Sequence, residues 1–138
     1  MPKVLPVPDS VSAFFWEGAA RSELLIQRCA PCGEFQYPPM PVCESCQSRD
    51  LVPTQVSGRA SLYALTVLHQ AFLPEFAEDL PYTLALVDLD DAPGVRLLTN
   101  VVQVAPQQLS IGDPLEVLFE QRGDTALPMF RPRQDVPA

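Results

Sequence analysis

The chain has 138 residues, 47% of them apolar, and its 17 acidic and 9 basic side chains give a formal charge of −8. That length suits about one domain with one modest core, plus at most a small module braced by something other than apolar burial. The apolar fraction is too high for a disordered chain, no apolar run approaches the ~20 residues that span a bilayer, and so acidic a surface repels polyanions on average. The opening Met1-Pro2-Lys3-Val4-Leu5-Pro6-Val7-Pro8 has no long apolar export region, so a cytoplasmic protein is expected.

The first helical signal covers residues 9–20, with Asp9, Ser10 or Ser12 as N-cap and Val11, Phe14, Phe15, Gly18 and Ala19 recurring on one face. Phe14, Phe15 and Trp16 are adjacent and cannot all share that face, so at least one is expected to project outward as a contact, unless all three pack on the module that follows. A strand at 24–28 then leads into Cys29-Ala30-Pro31-Cys32, and a short strand at 35–37 returns toward Cys43-Glu44-Ser45-Cys46. These four are the only cysteines in the chain.

A C-x₂-C turn brings two sulfurs within reach of one ion, and two such turns complete the tetrahedral thiolate shell of a closed structural zinc site. Iron in a similar shell, two disulfides and a redox dithiol are the competing readings; disulfides require an oxidising compartment. Gly33 after the first pair can take the positive φ that turns backbone N–H groups toward sulfur, whereas Gln47 in the matching position predicts a less ideal second turn. Residues 34–42, stiffened by Pro38, Pro39 and Pro41, read as a ribbon arm with no core of its own.

Beyond Cys46 the pattern changes to strands: 52–68 interrupted by Ser57-Gly58, 82–89, 95–102 after the turn 90–94, 114–121, and a short segment at 128–131. One turn of helix is expected at 106–109, and the last seven residues read as a frayed tail. Five short strands fit a small Greek-key barrel better than a sandwich. The predicted architecture is mainly β: a helix and zinc ribbon over 1–50, then a five-stranded OB-fold barrel over 51–138.

The helix-to-knuckle run from Phe15 and Trp16 to Cys29, then Cys32-Gly33, Pro38-Pro39, Cys43, Cys46, Pro81-Tyr82, Val87-Asp88-Leu89 and Ile111-Gly112, resembles the domain of unknown function 35 family. These are acyl-CoA-associated OB-fold proteins with a rubredoxin-like zinc ribbon, and the resemblance spans about residues 9–132. It implies an accessory subunit of a thiolase-like or sterol-carrier-type enzyme working on acyl-CoA thioesters, such as an aldolase, an acyltransferase or a condensing enzyme of lipid or steroid metabolism. It implies one structural zinc on Cys29, Cys32, Cys43 and Cys46, a hetero-oligomer with acyl-CoA at the shared interface, and no catalytic residue in this chain.

Read from the residues alone, His69 is the only histidine, and no G-x-S-x-G, H-E-x-x-H or glycine-rich phosphate loop accompanies it. The segment 70–81 mixes Phe72, Leu73 and Phe76 with carboxylates, so Phe72 and Phe76, together with Phe15 and Trp16, are the candidate partner contacts. Two other classes compete. A stand-alone acyl-CoA-binding protein or thioesterase would turn over CoA thioesters without a partner. A single-strand-binding OB module would need a basic groove, yet the stretch 52–127 offers only Arg59, Arg96 and Arg122 against ten carboxylates.

Overall fold

The computed structural model describes residues 6–70, 74, 77 and 80–133. The helix α1 is Ala13–Ala20 and the strands are β1 Leu24–Cys29, β2 Phe35–Gln36, β3 Leu51–Val56, β4 Arg59–Leu68, β5 Tyr82–Leu89, β6 Arg96–Asn100, β7 Pro114–Arg122 and β8 Thr125–Pro132. A 3₁₀ turn occupies Pro106–Gln108. Among the described residues no helix is long and apolar enough to cross a membrane.

Helix α1 begins later than its sequence signal because a separate turn precedes it. The Asp9 carboxylate accepts from the Val11 and Ser12 amides at 3.0 and 2.8 Å, while the Asp9 amide donates to Ser12 Oγ at 3.1 Å. The Ser12 amide above all holds the Asp9 carboxyl below its ordinary pKa. The helix ends in a Schellman arrangement, with Glu23 N–H on Gly18 O at 2.8 Å, Ser22 N–H on Ala19 O at 2.9 Å, and Ser22 itself at φ 60°.

Strands form two sheets, β2-β1-β3 and β6-β5-β4-β7-β8. Leu51–Val56, expected to open the barrel, instead pairs antiparallel with β1 from Leu24↔Val56 to Cys29↔Leu51, so main-chain pairing crosses the expected 50/51 boundary. The chain changes sheets at Ser57-Gly58. There Gly58 has φ 84° and a Cβ on it would collide with Val117, so the side-chain-free residue lets β4 pass close under β7. Asp91 fastens the same junction by accepting from Ser57 N–H at 2.9 Å, a bond that lowers its pKa.

The second sheet curls into a nearly closed five-stranded barrel. A bulge between Leu62 and Ala64 bends β4, which pairs with β7 through Arg59–Glu116, Ala60–Leu115 and Ser61–Pro114 and with β5 over most of its length. The seam between β6 and β8 is closed in parallel sense by the Val101↔Phe130 bridge, the Val102 N–H to Phe130 O bond at 2.8 Å, and Thr99 Oγ1 donating to Pro128 O at 3.0 Å. Thr83, Ala85, Val87 and Leu89 point inward along β5, and Leu115 lies inward on β7 with Val117 and Phe119 against the core.

One apolar cluster runs through both sheets, from Phe15, Leu24, Ile26 and Val56 to Leu62, Val87, Leu97, Leu115 and Phe130. Phe15 is 3% exposed, edge-on to Trp16 at 5.0 Å and tilted against Tyr37 at 5.6 Å. Since Phe15 joins the ribbon to the barrel core, Phe15→Ala should cost about 3–5 kcal/mol. Thermal unfolding followed by circular dichroism should show ribbon and barrel lost in one shifted transition.

Candidate metal centre

The two knuckles are local copies of one another. Gly33 N–H bonds Cys29 O at 2.8 Å and Gln47 N–H bonds Cys43 O at 2.9 Å; Cys29 N–H bonds Glu34 O at 2.9 Å and Cys43 N–H bonds Ser48 O at 2.8 Å. Gly33 has φ 78° and Gln47 has φ 65°, so Gln47 adopts the same left-handed turn that glycine takes more easily. The second knuckle keeps the geometry at the expense of backbone strain, which refines the expectation of a less ideal turn.

Pairing of β1 with β3 and β2 delivers Cys29, and the mirrored turn delivers Cys43; both are buried, while Cys32 and Cys46 face outward. Cys29 Sγ lies 3.5 Å from Cys46 Sγ, Cys32 Sγ lies 3.6 Å from Cys43 Sγ, and all four sulfurs fall within 4.8 Å of one another. A Zn–S bond of about 2.3 Å in a tetrahedron separates sulfurs by about 3.8 Å, so the four cysteines are positioned to bind one metal ion. Disulfide bonds, by contrast, require sulfurs about 2.05 Å apart. The cross-knuckle pairing of the short contacts is that of a shared shell.

Electrostatics show why this donor set calls for a cation. Backbone N–H groups of Cys46 and Ser45 stabilise the Cys43 thiolate and bring its pKa down to about 6. The Glu34 amide acts in the same direction on Cys32, yet desolvation and the three neighbouring sulfurs outweigh it and push that thiol up to about 12. Cys46 is also raised: the Ser48 amide lowers it, but the Cys29 sulfur and burial prevail. Thiolates this close cannot all ionise against one another; a divalent ion removes the conflict.

Behind the sulfurs lies a feature that the spacing of the cysteines does not announce. Gln27 and Gln36 face each other across β1 and β2, are 7% and 4% exposed, and share a 3.1 Å bond from Gln36 Nε2 to Gln27 Oε1. Gln27 also holds both backbone groups of Met40, accepting its N–H and donating to its O, each at 2.9 Å. Gln36 donates to Val42 O and accepts from Glu44 N–H, both at 3.0 Å. The proline-rich arm has few main-chain donors to form a ladder, so two side-chain amides position the approach to Cys43. The visible signal was a glutamine within each apolar strand segment flanking the knuckles.

Other candidate residues are placed unevenly. Phe15 is core rather than contact surface, because the ribbon has too few apolar residues to cover β1 without it. Trp16 is half-buried at its edge, and His69 is exposed just beyond β4. Phe72 and Phe76 lie outside the described residues.

Comparison with known proteins places this geometry. Residues 16–52 match the ChsH2 rubredoxin-like zinc ribbon domain and 53–120 match the ChsH2 C-terminal OB-fold domain. A probable enoyl-CoA hydratase alpha subunit of Thermomonospora curvata is 38% identical over 135 residues, covering 95% of this chain and 41% of that protein. A DUF35 domain-containing scaffold protein of Methanothermobacter thermautotrophicus is 28% identical over 102 residues, 73% of this chain and 74% of the relative. Among solved structures, a chain of the Ltp2-ChsH2(DUF35) aldolase aligns with TM-score 0.83 and 36% identity over 93% of this chain and 98% of its own. The chain spans about two-fifths of the length of the curated hydratase subunits that it matches.

Two outcomes follow for the centre. Metal binding holds the thiols deprotonated, below their unfolded pKa, so the stability it brings is present at neutral and higher pH and is lost as pH falls and protons compete for sulfur. Zinc release to a chromogenic chelator should therefore rise steadily on acidification, together with loss of cooperative unfolding. Gln36→Leu, which strands Val42 O and Glu44 N–H, should cost about 2–3 kcal/mol and speed zinc release at constant pH, read by denaturant melts and chelator kinetics.

Proposed function

The chain belongs to the domain of unknown function 35 family, in the form that joins a ChsH2-type zinc ribbon to an OB fold, and from that premise we propose that it is a non-catalytic accessory subunit of a thiolase-like enzyme acting on acyl-CoA thioesters. The observation that carries this reading is the alignment over 98% of the matching chain in the Ltp2-ChsH2(DUF35) aldolase. The relatives described as hydratase alpha subunits and as a scaffold protein agree with a role inside an assembly.

The physical case is that of a rigid adaptor. Metal-braced knuckles and the shared core fix the ribbon relative to the barrel, so a surface on both can be presented without ordering cost at docking. Trp16 offers a half-buried aromatic beside that junction, and Met40 and Val52 add exposed apolar side chains on the ribbon, 45% and 46% accessible. Phe72 and Phe76, between β4 and β5 in sequence, complete the proposed contact set. The acid–base and nucleophilic work of the reaction falls to the partner, while this chain holds and shapes the complex.

Affinity capture of the tagged chain should bring down a thiolase-like enzyme in fixed ratio, and removing the chain should lower that enzyme's activity on acyl-CoA thioesters. Trp16→Ala, and the Phe72→Ala, Phe76→Ala pair, should each weaken the complex by at least about tenfold in native mass spectrometry titrations. A partner that is soluble and fully active alone, or a complex indifferent to these substitutions, overturns the reading.

A further inference from the structure

The outer wall of the barrel is not uniform. Along β7 the positions that alternate with the core-facing Leu115, Val117 and Phe119 are mostly charged, Glu116, Glu120 and Arg122, as a strand facing water requires. Across 63–68 of β4, 82–88 of β5 and β6 the outward positions are mostly apolar instead. Strand register sets Leu98, Leu86 and Ala64 in one row and Asn100, Leu84 and Thr66 in the next, with Ala85, Val87 and Leu97 buried behind them. Leu98 is 61% exposed and Tyr63 44%. Gly112 N–H bonds Leu62 O at 2.7 Å and so brings Ile111, 64% exposed, beside Tyr63.

Charge is withheld from the same wall. Asp88 and Arg96 are the only ionisable carboxylate and guanidinium in these three stretches, and they pair with each other at 2.9 Å while Arg96 stacks 3.7 Å over the Tyr63 ring. In a chain of formal charge −8 the wall is therefore neutral, and covering it strands no lone charge. Acidity returns at its rim, where Asp90 and Asp91 are exposed in the β5–β6 turn.

Size and charge select the occupant. β5 is hydrogen-bonded on both sides, so no added strand pairs with it. Three strands by four outward rows give a footprint of roughly 300 Å², well under the ~800 Å² that each partner buries in a stable dimer, and two copies of charge −8 repel each other. The three strand axes span about 10 Å, the width of one α-helix. We propose that this wall seats the apolar side of an amphipathic helix of the partner enzyme, with Leu86 and Leu98 against its i, i+3, i+4 stripe and Asp90 and Asp91 facing basic residues along its edge. The proposal rests on the accessory-subunit reading and adds a barrel contact to those on the ribbon.

The test uses the zinc-loaded full chain and the enzyme it captures. On forming the complex, Tyr63 and Leu98 should lose most of their hydroxyl-radical labelling, and Leu98→Asp should weaken binding at least about tenfold with an unchanged thermal melt. Val7→Asp, at an exposed site outside this wall, should change nothing. Photo-crosslinking from Leu98→benzoylphenylalanine should reach enzyme residues spaced three and four apart on one helix. A complex that forms normally with Tyr63 and Leu98 still labelled, that ignores Leu98→Asp, or that crosslinks to a strand, a loop or a second copy of this chain overturns the proposal and leaves the accessory-subunit reading standing. Capture of no thiolase-like enzyme by the unaltered chain overturns both.

Discussion

Four sulfurs held within 4.8 Å of one another are the constraint on which the N-terminal half depends. The segment that carries them is short, rich in proline and too small to form a core of its own, so burial alone cannot hold its shape. Repulsion among thiolates makes the cluster unstable without a cation and rigid with one. Backbone N–H groups in both knuckles point the same way, toward sulfur, and Gln47 accepts a left-handed backbone to preserve that arrangement.

The metal site is coupled to the barrel through a short path. Cys29 ends β1, whose opposite face sends Leu24 and Ile26 into the common core, and Phe15 from α1 packs into the same cluster. Gln27 shares the face of Cys29 and reaches the arm that leads to Cys43. Any change at the sulfurs is thereby transmitted to β1 and onward to the barrel, and the ribbon behaves as part of one body instead of a tethered finger. For a protein whose relatives include enzyme subunits and a scaffold, rigidity is the useful property, since pre-ordered surfaces lose less entropy on assembly.

The barrel ladder is interrupted between β6 and β8. Closure between β6 and β8 rests on one parallel bridge with its neighbouring bonds, and Asn100 replaces a missing strand partner with its side chain. On the outer face Arg96 lies 3.7 Å over the Tyr63 ring and pairs with Asp88 at 2.9 Å, an arrangement satisfied within the chain and exposed enough to contribute little to stability.

Cysteine spacing, strand alternation and turn residues are local signals, and from them the sequence by itself determined the metal-ligating set, the ribbon and the five barrel strands. Family membership was legible for the same reason, because its motifs sit in the knuckles and in the adjoining helix. Only the tertiary structure decided which of three adjacent aromatics enters the core: periodicity leaves Phe14, Phe15 and Trp16 to compete, and the surface offered by Leu24 and Ile26 selects Phe15. It likewise decided that Leu51–Val56 pairs with β1, since hydrogen-bonded strand pairing is nonlocal and a β-rich segment does not name its neighbour. The Gln27–Gln36 pair was hidden for that reason as well: it joins side chains from different strands, and its meaning lies in which backbone groups folding brings opposite it.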